Sequence, residues 1–194
     1  DNTFTPLIFS PVQLGADVVI HSLTKFINGA SDAVGGAVCG DAEFIGSMLD
    51  VNDGAGMLLG PVMDSFRASS ILKNLKTLHI RMKQHSKNAG YLADYFSKEG
   101  IDIFYPGANQ HPQHSLTKRT YNAEFGFGGM LVIDVKTKEN AYALMEAMQK
   151  DNIGYLAVSL GFYKTLFSAP GSSTSSEIPE EEQEQMGISE GMIR

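Results

Sequence analysis

The sequence predicts a mixed α/β protein: part of an α/β sheet with a lysine at its edge, a long helix, and a smaller α+β unit behind it. Three observations predict it. Val18, Val19 and Ile20 form a short β-branched run that leads into Ser22-Leu23-Thr24-Lys25. Leu72, Leu75, Leu78, Met82, Ala89, Leu92 and Phe96 recur at helical spacing, and Met130 to Val135 reads as a strand followed by a capped helix. A β-branched run of this kind sits inside a sheet covered on both faces. Leaving the sheet through two hydroxyls and an ammonium brings Ser22, Thr24 and Lys25 to its carboxyl end, the edge where open α/β sheets bind ligands. A ligand that carries both a phosphate and a carbonyl would satisfy all three groups.

Each further element has its own signal. Leu7 to Leu14 is a compact connection, and Gly35 to Gly40 a second short strand bounded by glycines. Asp41 caps a helix from about Ala42 to Asp50, which Asp53-Gly54-Ala55-Gly56 breaks. The periodic segment has Lys76, Lys83, Lys87 and Asp94 on its other face and Gly100 where a C-terminal cap belongs. It predicts one helix of ~45 Å, enough to bridge two units. Ile101 to Tyr105 reads as a strand ended by Pro106-Gly107, and 107–128 as a polar loop. Thr137 caps the helix after the second clear strand, with Ala141, Leu144, Met145 and Met148 on its buried face. Glu177 to Glu184 is a solvated acidic segment.

Composition narrows the partners. The 194 residues are 43% apolar, with a formal net charge of −7 and a pI near 5.2. That balance argues against nucleic acid or an anionic membrane as a partner. No apolar run is long enough to span a bilayer. The single cysteine, Cys39, cannot form an internal disulfide, which points to a reducing cytoplasm, and its apolar surroundings make it a core residue. His111 and His114 lack a carboxylate or cysteine placed to complete a metal shell, so no metal is expected.

The run Ala16 to Gly29, with its Ser22-Leu23-Thr24-Lys25, resembles the lysine-attachment motif of the Cys/Met-metabolism family of pyridoxal-phosphate (PLP) enzymes. Three more elements resemble the same family: Asp1-Asn2-Thr3, Val158-Ser159-Leu160-Gly161, and Gly187-Ile188-Ser189-Glu190-Gly191-Met192-Ile193-Arg194. They stand in the family's order and cover the chain from end to end. The resemblance implies the C-terminal half of a fold-type I PLP-dependent transferase. Residues 1–63 would belong to its large cofactor-binding domain, 64–100 to a connecting helix, and 101–194 to a small domain incomplete at its end.

By that resemblance, Lys25 is the catalytic residue and holds pyridoxal 5'-phosphate as an internal Schiff base. Ser22 and Thr24 donate to the phosphate, and Asp1 pairs with the protonated pyridine nitrogen. Arg194 clamps the α-carboxylate of an amino-acid substrate, Ser159 helps to hold that carboxylate, and Thr174 supports the arginine. The 171–176 run has linker composition, and its position also matches the family's active-site loop; both readings stay open. Ala30 stands where much of the family has a histidine, and this, with Gly161 to Leu166, is similar to the plant-type methionine γ-lyase branch. The implied reaction is γ-elimination on a sulfur amino acid in a dimer of dimers. Cystathionine γ-synthase, cystathionine γ-lyase and O-acylhomoserine sulfhydrylase are the alternatives within the family. A catalytically silent fragment or structural subunit is the alternative outside it.

Overall fold

The computed structural model describes residues 1–194, the side chain of Glu180 excepted. Its elements are β1 (Val19–Ser22), β2 (Gly36–Cys39), α1 (Ala42–Met48), α2 (Ala55–Leu59), α3 (Ser65–Leu75), α4 (Leu78–Lys98), β3 (Asp102–Phe104), α5 (His114–Thr120), β4 (Val132–Asp134), α6 (Lys138–Lys150), β5 (Tyr155–Leu156), β6 (Leu166–Phe167), α7 (Glu180–Gln185) and β7 (Met192–Ile193). The chain is mixed α/β. Strands β1 and β2 pair antiparallel with Val19 opposite Cys39. Strands β3, β4 and β7 make an antiparallel sheet in that order, and β5 runs parallel to β6. No helix among the described residues is long and apolar enough to cross a membrane.

The lysine-bearing strand is not covered on both faces as its sequence predicts. Val19 is buried, but Ile20 is 49% exposed and Cys39, expected in the core, is exposed. Strand β2 is the one partner of β1 among the described residues, so half of the pair faces outward. An apolar run records that a face is to be covered; it does not record what covers it.

The long periodic segment is two helices, broken at Lys76 and Thr77. Asn74 explains the break. Its carbonyl accepts from the Thr77 amide at 3.1 Å, the Thr77 hydroxyl at 2.9 Å and Arg81 Nη2 at 3.1 Å, which takes it out of the helical ladder. The resulting α4 has 21 residues and a length of ~31 Å. Gly100 does end it, in the left-handed region at φ +76° with its amide on the Ser97 carbonyl.

Within 107–128, read as a loop, lies α5. Its one buried residue is Thr117, whose hydroxyl donates to the Gln113 carbonyl at 2.9 Å, so apolar periodicity could not announce it. The caps at Asp41 and Thr137 are as expected, accepting from the Phe44 and Asn140 amides at 2.7 and 3.2 Å.

Two larger apolar clusters, beside a smaller one of Ala89, Ala93, Tyr105 and Ala108, hold the described residues together. Ile8, Phe26, Leu78, Met82, Phe125 and Leu160 form one, between α4 and the segments around Lys25 and Ser159. Ala141 and Met145 of α6 meet Ile133, Phe167, Ala169 and Ile193 in the other, beneath the β3-β4-β7 sheet. Phe26, Leu160 and Ile193 each follow or precede a predicted site residue by one position. Burying each such side chain contributes about 1.5–3 kcal/mol, which fixes the direction in which its neighbour faces.

Candidate active site

Lys25 sits in the turn Leu23–Ile27 that follows β1 directly, closed by a π-type hydrogen bond but kinked at Lys25, whose own φ −89°, ψ −126° lies outside helical geometry. The Asn28 amide closes the turn on the Leu23 carbonyl at 2.9 Å, and the Gly29 amide bonds the Lys25 carbonyl at 2.7 Å. Such one-turn π segments recur at functional sites because they aim one side chain out of the regular spiral. With Phe26 buried in the core, Lys25 turns away from it, and its Nζ donates to the Ser159 hydroxyl at 3.0 Å.

Ser159 joins the lysine to the C-terminal arginine. Its hydroxyl receives Lys25, while its carbonyl accepts from Arg194 Nη2 at 2.9 Å. Arg194 leaves the end of β7 next to buried Ile193, and reciprocal backbone hydrogen bonds with Ser168 hold it there, at 2.9 and 3.2 Å. Burial holds the Arg194 guanidinium below its ordinary value. Gly161 brings the Ser159 segment close enough for these contacts: at φ +76° its Cα lies against the Lys25–Phe26 peptide, where a β-carbon would stand 2.8 Å from the Lys25 carbonyl carbon. The Tyr163 amide then donates to the Gly29 carbonyl at 3.0 Å.

The Asp1-Asn2-Thr3 element lies along β1. The Asn2 amide donates to the Ile20 carbonyl at 2.9 Å, and the Thr3 hydroxyl accepts from the Ser22 amide at 2.8 Å. Asp1 is exposed and accepts from the Thr3 amide at 2.7 Å, an Asx turn that keeps one carboxylate oxygen committed. The Thr24 hydroxyl accepts from the Gly35 amide at 3.1 Å and donates to the Gly35 carbonyl at a long 3.4 Å. Lys25, Ser159 and Arg194 are thus joined directly, and Asp1 reaches Ser22 through Thr3. Thr174 is exposed in the turn after β6, and no hydrogen bond joins it to Arg194 among the described residues, where the guanidinium bonds the Ser159 carbonyl.

Sequence reasoning passed over several residues that build this site. Asn28 receives Asn74 Nδ2 on its side-chain oxygen and donates to Asp32, each at 2.8 Å, and Arg81 donates to the Phe26 and Ile27 carbonyls. The Asn28-Gly29 pair signals a turn. Arg81 carried no signal, because a basic residue in a helix with three lysines reads as solvated surface.

Residues 1–194 match the family model described as Cys/Met metabolism PLP-dependent enzyme. The chain belongs to this family. It is 45% identical over 195 residues to the methionine gamma-lyase of Arabidopsis thaliana, covering 100% of this chain and 44% of that protein. It is 38% identical over 198 residues to the cystathionine beta-lyase of Coxiella burnetii, covering 100% and 49%. Among solved structures, cystathionine gamma synthase from Xanthomonas oryzae pv. oryzae in complex with aminoacrylate and cysteine superposes with a TM-score of 0.88 at 33% identity, over 100% of this chain and 49% of that one. The chain therefore spans about half the length of the relatives it matches.

Enzymes of the Cys/Met metabolism family are PLP-dependent, and the donor set here fits that cofactor. Lys25 forms no ion pair among the described residues, so its amine is not committed to a carboxylate. The Thr24 hydroxyl proton is spent only on the long bond to Gly35 and can be re-aimed at small cost. Hydroxyls, amine and carboxylate are the group types that would take up a phosphate, an aldehyde and a ring nitrogen.

Proposed function

We propose that the complete protein carrying this chain is a PLP-dependent carbon–sulfur lyase that acts on a sulfur amino acid, and that its substrate is methionine. The observation that carries the reading is the contact of Lys25 Nζ with Ser159, the residue whose carbonyl also holds Arg194. An amine and a carboxylate clamp on one serine are the two groups needed to take a proton from the α-carbon of an amino acid and to hold its carboxylate. The 45% identity to the Arabidopsis methionine gamma-lyase supports methionine.

The bound cofactor supplies the electron sink that makes the substrate's α-proton removable. Lys25 holds it covalently between turnovers and moves the proton from the α-carbon. Ser22 and Thr24 donate hydroxyl hydrogen bonds to its phosphate, and Asp1 keeps its ring nitrogen protonated. Arg194 grips the substrate carboxylate with its planar fork, and Ser159 orients the same group. Methionine and water become methanethiol, 2-oxobutanoate and ammonia. In this reading residues 1–63 belong to the large domain of a fold-type I enzyme, 64–100 connect, and 101–194 form the small domain. The enzyme self-associates as a dimer of dimers in the cytoplasm.

A second reading, cystathionine γ-lyase or γ-synthase, is favoured by the TM-score of 0.88 to the Xanthomonas oryzae synthase. Methanethiol release from methionine, measured with the complete protein against cysteine release from cystathionine and against cystathionine formation from cysteine and an O-acylhomoserine, separates the two. Lys25→Ala tests both: turnover and borohydride-fixed cofactor should vanish together, and near-normal turnover in that variant overturns the proposal.

A further inference from the structure

We propose that Arg81 is a positioning residue for Lys25, holding the turn that presents the amine; the inference rests on the reading of Lys25 as the cofactor-bearing residue. Arg81 stands in the first turns of α4 and is half-buried. Among the described residues it forms no ion pair. Its guanidinium is spent on acceptors that carry no charge. Nη1 donates to the Phe26 carbonyl, Nη2 to the Ile27 carbonyl at 2.8 Å and the Asn74 carbonyl at 3.1 Å, and Nε to the Thr77 hydroxyl at 3.1 Å.

Two of those acceptors are the peptide carbonyls that come straight after Lys25. In the π-helical turn the Leu23 and Lys25 carbonyls are satisfied within the loop, by the Asn28 and Gly29 amides. The Phe26 and Ile27 carbonyls are satisfied by Arg81, from 55 and 54 residues away. A half-buried cation with no carboxylate is costly unless its donors find acceptors. Here it makes four hydrogen bonds, to three carbonyls of this turn and the broken end of α3 and to the Thr77 hydroxyl. Lysine could not replace it, because an ammonium has no planar fork to span two successive carbonyls.

The surrounding residues are fitted to the guanidinium. Gly29, at φ +72°, leaves the space it fills, since a β-carbon there would lie 2.8 Å from Arg81 Cζ. Asn74, whose side chain donates to Asn28 at 2.8 Å, adds a second tie between the turn and the α3–α4 break. The break itself frees the Asn74 carbonyl that Arg81 uses. Helix α4 is thus the bench, and Arg81 the clamp, on which the lysine turn is set.

The test uses the complete protein. Cofactor is added to the cofactor-free form, and the rate of attachment is followed by visible absorbance and by the mass of the borohydride-reduced peptide containing Lys25. Arg81→Lys is expected to attach roughly 10- to 100-fold more slowly, the range a small misplacement of a reacting group costs, with a far-ultraviolet spectrum unchanged from the parent. Millimolar methylguanidinium should speed attachment in Arg81→Ala and leave the parent untouched, a rescue that loss of packing alone would not show. Attachment by Arg81→Lys at the parent rate overturns the inference, as does an Arg81→Ala protein indifferent to methylguanidinium. If neither variant folds, Thr77→Val decides: it keeps Arg81 and removes the Nε acceptor, so slowed attachment supports the inference and the parent rate overturns it. A parent protein that never takes cofactor on Lys25 overturns the functional reading as well, an outcome separate from a parent that does while Arg81→Lys equals it.

Discussion

The Lys25 ammonium donates to the Ser159 hydroxyl at 3.0 Å, one bond that closes a separation of 134 residues. Its partner serine also receives Arg194, but on the carbonyl, so side chain and backbone divide the work. Ser159→Ala should therefore release the amine and leave the arginine in place. Ser159 is proposed to orient the substrate carboxylate as well as to meet Lys25, so kcat/KM of the complete enzyme should fall about tenfold or more, and the cofactor-free protein should lose about 0.5–1.5 kcal/mol of stability, the contribution of a hydrogen bond. Steady-state kinetics with methionine check this; an unchanged kcat/KM would show that the contact plays no part in turnover.

Gly161→Ala should be the more damaging change, although it adds one methyl group. The residue needs φ +76°, which costs an alanine about 1–2 kcal/mol, and the new carbon would press on the Phe26 backbone. Urea unfolding should show a loss of at least ~2 kcal/mol, and the protein should bind cofactor poorly even where it remains folded.

His85 makes stability depend on pH. Burial first, and the Arg81 charge second, hold its imidazole below the ordinary 6.5, and it packs edge-on to Phe26 at 5.4 Å between ring centres. The folded chain therefore keeps His85 neutral where the unfolded chain protonates it. Its contribution is complete above pH 6.5 and is lost as pH falls toward the folded value, at no more than ~1.4 kcal/mol per pH unit. His21, lowered mainly by burial, acts in the same direction. Unfolding free energy measured from pH 7.5 to 5 should fall with acid, and the fall should be shallower in His85→Gln.

Met145 and Thr137 test the α6 side of the molecule. Met145 is 4% exposed, against Ile133, Phe167 and Ile193, and Met145→Ala should cost about 2–5 kcal/mol. Thr137→Ala removes the hydroxyl that caps Asn140 and should cost ~1 kcal/mol. Denaturant titrations of the two variants should differ by that margin, without change in the slope of the transition.

These contrasts follow how much of the molecule was legible in its sequence. The face of α6 and its Thr137 cap could be read directly, because one helix burying one stripe against one sheet obeys a single period. The strand before Lys25 could be read too, but its burial could not, since exposure of Ile20 and Cys39 depends on which layers lie across them. Helix α5 was hidden by its polar residues. The break at Lys76 and Thr77 was hidden because no glycine or proline marks it and the competition for the Asn74 carbonyl is a tertiary event. In the site, the hydroxyls, the lysine and the arginine stood out as chemical types in family order. Arg81 and Asn74 did not, because the Arg81 donors go mostly to backbone carbonyls and the Asn74 side chain meets Asn28 from 46 residues away, neither of which leaves a trace in side-chain pattern.

The reciprocal backbone pairing of Arg194 with Ser168 has a consequence for how the sequence can change. Side chains alternate sides along a strand, so one residue inserted between Gly191 and Ile193 would turn Arg194 to the opposite face and exchange the sides on which Met192 and Ile193, both buried, are packed. The length of this stretch is therefore as constrained as its residues, and the spacing from Gly191 to Arg194 is the part of the segment that must be counted.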